Sequence, residues 1–183
     1  LITPKIPFTM KKFFSLLIAF TLISTASFAQ TASATCSAPG IELKFKRCIT
    51  QGSNVFVHFT ITNYTNKDLM PLVHTDESVV GHVYRAEAFD DEGNHYSPSS
   101  RNMIINMSDK IVDGVASTGE YFSFPKEITI KGIITLKNVD EYATIISRIT
   151  IPFRDLDPMV PTYGIATITL KNIPIPRDRK SVV

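Results

Sequence analysis

The 183-residue sequence contains no tryptophan and only two cysteines, and after its first thirty residues it has no apolar run near the length of about 20 that spans a membrane. It also lacks four motifs of common catalytic and cofactor sites: the Gly-x-Ser-x-Gly elbow, the His-Glu-x-x-His zinc site, the Cys-x-x-Cys pair and the glycine-rich phosphate loops. These absences favour a protein that binds or assembles over an enzyme. We therefore expect no cofactor and no membrane span after the N-terminal segment.

The first thirty residues have the pattern of a secretory signal peptide. Residues 10–12 are Met-Lys-Lys, the apolar run Phe13–Phe20 follows, and residues 27–29, Ser-Phe-Ala, form a small-x-small cleavage site. We expect residues 1–9 to lie upstream of the translated protein and residues 10–29 to form a signal helix. The remainder is then exported to the periplasm, the cell surface or the medium.

The charge balance of the protein depends on this segment. The whole sequence has 19 basic and 17 acidic residues, and loss of Lys5, Lys11 and Lys12 leaves 16 basic residues against 17 acidic ones. A nearly neutral chain offers no electrostatic argument for nucleic-acid binding, because such proteins normally present a basic face. We expect instead a protein or glycan partner at the cell envelope. The 154 residues after the cleavage site suffice for one domain with a sizeable core.

Cys36 and Cys48 are the two cysteines. An exported protein meets an oxidising compartment, so a disulfide between them is permitted, and it would stabilise the fold by roughly 3 kcal/mol. The alternative is two free thiols, with Cys36 in a flexible leader over residues 30–40. A lipid anchor on Cys36 is disfavoured, because no apolar residue stands three positions before it.

Alternation of apolar and polar residues with a period of two predicts β-strands through most of residues 41–172, as in Val55–Thr62. Turn residues separate the strands, and no segment has the pattern of an amphipathic helix of normal length. We predict an antiparallel β-sandwich of seven to nine strands, with a small closed β-barrel as the alternative. Gly132 predicts a bulge or a close backbone approach, and prolines in the segment 173–183 predict a mobile tail.

Three segments resemble telokin-like, immunoglobulin-type domains of exported bacterial proteins. Residues 55–65, VFVHFTITNYT, resemble the apolar strand followed by Asn-x-Thr; residues 87–94 resemble the hairpin; and residues 128–153 resemble the closing pair of strands. The resemblance covers residues 41–171. It implies an immunoglobulin-like sandwich in the bacterial cell envelope and no particular activity. The absence of tryptophan departs from true antibody domains, which have one in their core.

The best candidate for metal binding or hydrolysis is the polar segment with His74, Asp76 and Glu77, together with His82. Imidazole and carboxylate groups are zinc ligands, but the spacing matches no zinc signature. A solvated polar loop explains the cluster as well, so we keep a hydrolase or metal-dependent enzyme only as the alternative function and predict no metal.

Surface aromatic residues and long loops are the candidate binding features. We expect Tyr64 and Tyr96 to contribute to a partner surface, and we expect the segments Lys67–Gly81 and Ser99–Gly119 to be functional loops, because long loops in compact domains usually are. The acidic turn at Asp90–Asn94 offers hard oxygens that suit calcium, although a hairpin turn explains it equally.

Overall fold

Antiparallel pairing accounts for nearly all of the secondary structure. The computed structural model describes residues 31–73, 76–79, 82–108, 110–112, 120–154 and 165–177. Within these ranges there are fourteen strands and no helix. The strands are β1 (Ser33–Cys36), β2 (Ile41–Gln51), β3 (Asn54–Asn63), β4 (Leu72–Val73), β5 (Asp76–Val79), β6 (His82–Arg85), β7 (Glu87–Asp90), β8 (His95–Tyr96), β9 (Met103–Met107), β10 (Lys110–Val112), β11 (Glu120–Tyr121), β12 (Thr129–Leu136), β13 (Ile145–Arg154) and β14 (Ile165–Pro174). The expected signal helix, residues 10–29, lies outside the described residues.

The strands form two large sheets and one small hairpin. The five-stranded sheet has the order β10-β9-β12-β3-β2. The seven-stranded sheet has the order β1-β14-β13-β4-β11, with β7 beside β13 and β8 beside β7, while β5 pairs with β6 alone. Across the described residues each large sheet ends on edge strands and does not close on itself. The all-β prediction is therefore confirmed, and the closed-barrel alternative is wrong.

One hydrophobic core lies between the two large sheets. The inward-facing side chains of β3, Val55, Val57 and Phe59, are almost completely buried, and so are Ile149 and Ile151 on β13. All of them belong to a single cluster of buried residues. Because successive side chains of a strand point to opposite faces, the same strands present polar residues outward. The period-two pattern in the sequence is thus the pattern of a sandwich-like pair of sheets.

Both ends of the domain contribute to the seven-stranded sheet. Ser33–Cys36, within the segment expected to be a flexible leader (30–40), forms β1 and pairs with β14, Cys36 opposite Ile168. β14 ends at Pro174, within the segment expected to be a tail (173–183). Pro174 pairs with Ile145 on β13. Short Ser, Thr and Ala side chains made the first segment look like a loop. A partner strand nevertheless supplies its hydrogen bonds, which periodicity in the segment itself cannot reveal.

The structure has more strands than the seven to nine predicted from the sequence. The expected loop Lys67–Gly81 contains β4 and β5, and the expected loop Ser99–Gly119 contains β9 and β10. Strands of two to five residues are too short for a period of two to be clearly visible. Their partners elsewhere in the chain, such as β12 for β9, determine their extended form.

Gly132 on β12 is covered by the ring of Phe59, its partner on β3. A Cβ atom added at Gly132 would lie 2.1 Å from Phe59 Cζ, far inside van der Waals contact. The register of β12 with β3 is regular at Gly132 and its close neighbour is an aromatic side chain, so the prediction of a bulge or a close backbone approach is wrong. Phe59 is one of the largest fully buried side chains, so it has little room to move aside.

We predict that Gly132→Ala lowers the free energy of unfolding by about 1–3 kcal/mol, the usual cost of overpacking a core. Chemical denaturation of the purified protein measures the change. In the Phe59→Leu background the same substitution should cost less, because the ring that it meets is gone. Equal costs in both backgrounds would contradict the contact. Thr135→Ala, on the outer face of the same strand, is the control for the alanine itself.

Candidate functional site

A one-residue bulge in β2 collects positive charge on the outer face of the five-stranded sheet. The pairing of β2 with β3 shifts register between Phe45 and Arg47, so Lys46 has no partner of its own. Beyond the shift the inward position passes to Cys48, which pairs with the buried Val57. The bulge therefore places Arg47 on the same face as Lys44, and both side chains are exposed.

At this bulge the outer face forms a groove with a volume of about 400 Å³, which we call the basic groove. Its lining combines positive charge, an imidazole, a hydroxyl and one aliphatic side chain over a floor that includes the phenylalanine–glycine pair. The lining residues are Lys46, Arg47, His58, Phe59, Thr60, Lys131, Gly132 and Ile133.

Strand register explains how these residues meet. Thr60 on β3 is flanked by Lys131 on β12 and by Lys44 on β2. Directly paired residues on one face of an antiparallel sheet have Cβ atoms about 5 Å apart. Two consecutive strands and one that is distant in sequence thus place two lysines beside one threonine. The next outward residue of β3, His58, is flanked in the same way by Arg47.

The positive charge of the basic groove is largely uncompensated. Within the part of the chain that the structure describes, no ion pair involves Lys46, Arg47 or Lys131. Glu42 on β2 is engaged by Lys44, with 2.7 Å between Nζ and Oε2, and this contact raises the pKa of Lys44. Like charges on one sheet face repel each other, so the arrangement costs stability unless an anion is present.

On the outer face of the seven-stranded sheet, Arg148 and His95 lie near one carboxylate. Arg148 on β13 lies 3.3 Å from a carboxylate oxygen of Glu87 and stacks 5.2 Å from the ring centroid of Phe89. His95 lies 3.6 Å from the same carboxylate. Arg148 thus has an acidic partner, whereas Lys46, Arg47 and Lys131 in the basic groove have none among the described residues; Lys171, which pairs with Arg148, is likewise without one there.

His58 is the titratable group at the centre of the groove. Partial burial lowers its pKa, and the neighbouring charge of Arg47 lowers it further. The imidazole is therefore predominantly neutral at pH 7 and gains its proton only under more acidic conditions. The groove becomes more positive as the pH falls.

Tyr64 is exposed, as predicted. Its neighbour Asn63 is buried and has a structural role. Tyr64 is 61% exposed and donates a 3.4 Å hydrogen bond to Glu42. Asn63 is fully buried; its amide donates to the carbonyls of Lys67 and Phe124, and its oxygen accepts from Thr65. The Asn-x-Thr pattern thus serves to hold the turn after β3.

Tyr96 is buried and cannot contact a partner, so its predicted place on a binding surface is wrong. It is 2% exposed, and its hydroxyl donates a 2.7 Å hydrogen bond to Asp90. Burial, reinforced by the Asp90 carboxylate, raises the pKa of Tyr96. Its ring can lie in the core behind the hairpin because the buried Asp90 carboxylate accepts a hydrogen bond from its hydroxyl.

The acidic turn uses its carboxylates within the protein. Asp90 also accepts hydrogen bonds from the backbone of Glu92 and from the backbone and side-chain amide of Asn94. Asp91 accepts hydrogen bonds from Thr144. In the described ranges no three His, Cys, Asp or Glu residues are arranged to hold a metal ion. The hairpin-turn interpretation explains every one of these contacts.

The four residues proposed for metal binding or hydrolysis fall largely outside the described residues. His74 is one of those not described. Asp76 and Glu77 lie on β5 and His82 on β6, and the two strands pair with Asp76 opposite Arg85 and Val79 opposite His82. The side chains of these residues lie outside the described part, so the role of this segment stays a prediction.

The two cysteines are free and far apart, so the permitted disulfide is not formed. Cys36 pairs with Ile168 on β14, whereas Cys48 lies near Arg177, beyond the opposite end of that strand. The seven residues from Ile168 to Pro174 alone span about 20 Å in a strand, and a disulfide requires Cα atoms within about 7 Å. Burial raises the pKa of Cys36, and that of Cys48 to about 11.

Comparisons with family models, curated proteins and solved structures produce no match to this chain. The telokin-like resemblance therefore stays a prediction. In the described ranges there is no helix with the length and apolarity needed to cross a membrane.

The basic groove could not be predicted from the sequence because its residues come from three separate strands. One signal was present. Strict alternation in β2 breaks at Lys46-Arg47, where two cations stand next to each other before Cys48. Such a break predicts a bulge, but only the register shows that Lys131 and His58 lie beside it.

We predict that both cysteines are free thiols in the protein prepared without reductant. Their raised pKa values should make alkylation of the folded protein at pH 7 slow, because the thiolate is the reactive form. After denaturation, mass spectrometry should find two alkyl groups per chain. A protein that takes up none until it is reduced would contradict this arrangement.

Proposed function

We propose that this chain is an exported, immunoglobulin-like β-sandwich of the bacterial cell envelope, and that it binds an anionic group of its partner in the basic groove. The signal-peptide pattern supports export, and the two antiparallel sheets are compatible with the immunoglobulin-like arrangement. The uncompensated charge of Lys46, Arg47 and Lys131 carries the proposal.

The chemistry of the groove suits a compact oxyanion. Arg47 offers a planar guanidinium that matches two oxygens of a carboxylate, sulfate or phosphate group. The lysine ammonium groups add charge without a directional requirement, and the Thr60 hydroxyl lies between two of them. A group with two or three exposed oxygens would neutralise the repulsion among these cations.

Binding explains the groove better than catalysis. His58 has the charge of Arg47 beside it, which disfavours the protonated form that a general acid needs at neutral pH. A catalytic imidazole is usually oriented by a carboxylate, and the acid on this face, Glu42, is held by Lys44. We therefore favour a binding protein over the alternative hydrolase, whose His74–Glu77 segment lies at a different place in the chain.

A purely structural role through strand addition is less well supported. β2 is an edge of the five-stranded sheet and has eleven residues, a length that invites pairing with another chain. Yet it carries a bulge and exposed Lys44, Lys46 and Arg47, which are features that natural proteins use to prevent edge-to-edge pairing. The same residues that form the groove thus protect the edge.

We predict that inorganic sulfate binds in the basic groove and shifts the NMR signals of His58 and its neighbours. Arg47→Ala and Lys131→Ala should each weaken sulfate binding about fivefold, or about 1 kcal/mol, because each removes one uncompensated cation. Lys171→Ala is the matched control, since Lys171 is an exposed strand lysine on the other sheet. Binding that is unchanged in both groove variants, or equally weakened in the control, would refute the proposal.

We also predict that sulfate binding strengthens as the pH falls below about 6.5, the ordinary pKa of histidine. The pKa of His58 is lowered in the free protein, so its proton adds a cation to the groove only in this acidic range. His58→Gln should remove this increase and leave the affinity at pH 8 nearly unchanged. A pH profile that is identical in the variant would show that His58 does not face the anion.

A further inference from the structure

An apolar row crosses the outer face of the five-stranded sheet next to the basic groove. Ile49 on β2 pairs with Phe56 on β3, Phe56 pairs with Thr135 on β12, and Thr135 pairs with Ile104 on β9. These four residues share one face because directly paired residues of adjacent strands do. Ile49 is 38% exposed, and the other three are half-buried.

The apolar row lies directly beside the basic groove on the same sheet face. Along β3 the outward residues are Phe56, His58 and Thr60, so the row lies four residues from the lysine-flanked threonine, about 13 Å in a strand. Ile133 pairs with His58 and belongs to the groove lining. Along β3 the surface therefore changes from positively charged to apolar, over a distance that a small extended molecule can span.

The outer face of the other large sheet has a polar row across four strands, although Phe89, which stacks on Arg148, lies in the next row. There Thr35 pairs with Thr169, Thr169 pairs with Thr150, and Thr150 pairs with Glu87. Polar residues of this kind are the usual choice for a solvated sheet face. Phenylalanine and isoleucine at the matching places beside the groove need a different explanation, since adjacent exposed apolar groups commonly mark a binding surface.

We propose that the ligand of the basic groove is a single anionic amphiphile whose oxyanion head lies between Arg47 and Lys131 and whose alkyl chain runs along β3 over Ile133 and Phe56. This inference rests on the anion site proposed above and names the class of its ligand. Charge complementarity determines the position of the oxyanion head, and the apolar row determines the path of the alkyl chain. A purely hydrophilic anion would leave the row in water, whereas an alkyl chain buries it at a gain of about 25 cal/mol per Å².

The test compares decanesulfonate with methanesulfonate, which carry the same head, by NMR and calorimetric titration below the micelle concentration. Decanesulfonate should bind at least tenfold more tightly. Thr135→Val adds apolar surface to the row and should strengthen decanesulfonate binding about twofold without affecting methanesulfonate. Thr169→Val, the same change on the other sheet, is the control. Phe56→Thr should remove most of the tenfold difference.

Each outcome separates this inference from the proposed function. Equal affinities for the two sulfonates would overturn the amphiphile and leave the anion site standing, whereas binding of neither would refute the anion site itself. Tight decanesulfonate binding that survives both Arg47→Ala and Lys131→Ala would show unspecific apolar adsorption and overturn the inference. Binding to vesicles of phosphatidic acid without binding of monomeric decanesulfonate would assign the surface to a membrane instead and would equally overturn it.

Discussion

The one-residue bulge in β2 is the constraint on which the outer face of the five-stranded sheet depends. Before the bulge Leu43 faces the core, and after it the inward place passes to Cys48. If strict alternation continued from Phe45 through Lys46, Arg47 and Ile49 would point toward the buried core, where an unpaired guanidinium is strongly disfavoured. The bulge therefore keeps the core apolar, concentrates cations at one place and presents Ile49 to the apolar row.

β14 organises the opposite sheet in a similar way. It pairs with β13 along most of its length and with β1 over its middle residues, and its inward side chains Ile168, Leu170 and Ile173 are fully buried. The change from even to odd inward positions occurs at Asn172, which has a positive φ of 55°. Asparagine tolerates this left-handed conformation better than most residues. The same strand holds Cys36 and Cys48 apart, so it decides the state of both thiols.

Much of the fold could be predicted from periodicity, and the reason is specific to long strands. β3, β12 and β13 each have eight or more residues, so each shows enough alternating positions to identify a buried face. β1, β4 and β8 have two to four residues, and their extended form depends on partners far away in the sequence. Tyr96 shows the same limit. Its aromatic ring is equally compatible with surface and core until the position of Asp90 is known.

By itself the sequence determined the fold class of the described residues, which is all-β, and showed that the chain has none of the common catalytic motifs. It also determined the places of the main turns, because these follow from local alternation and from the conformational range of single residues. Only the tertiary structure decided which outward residues meet. Arg47 and His58 lie on neighbouring strands, and Lys131 follows more than seventy residues after His58. Strand register, a property of pairs of strands, brings the three into one groove beside one apolar row.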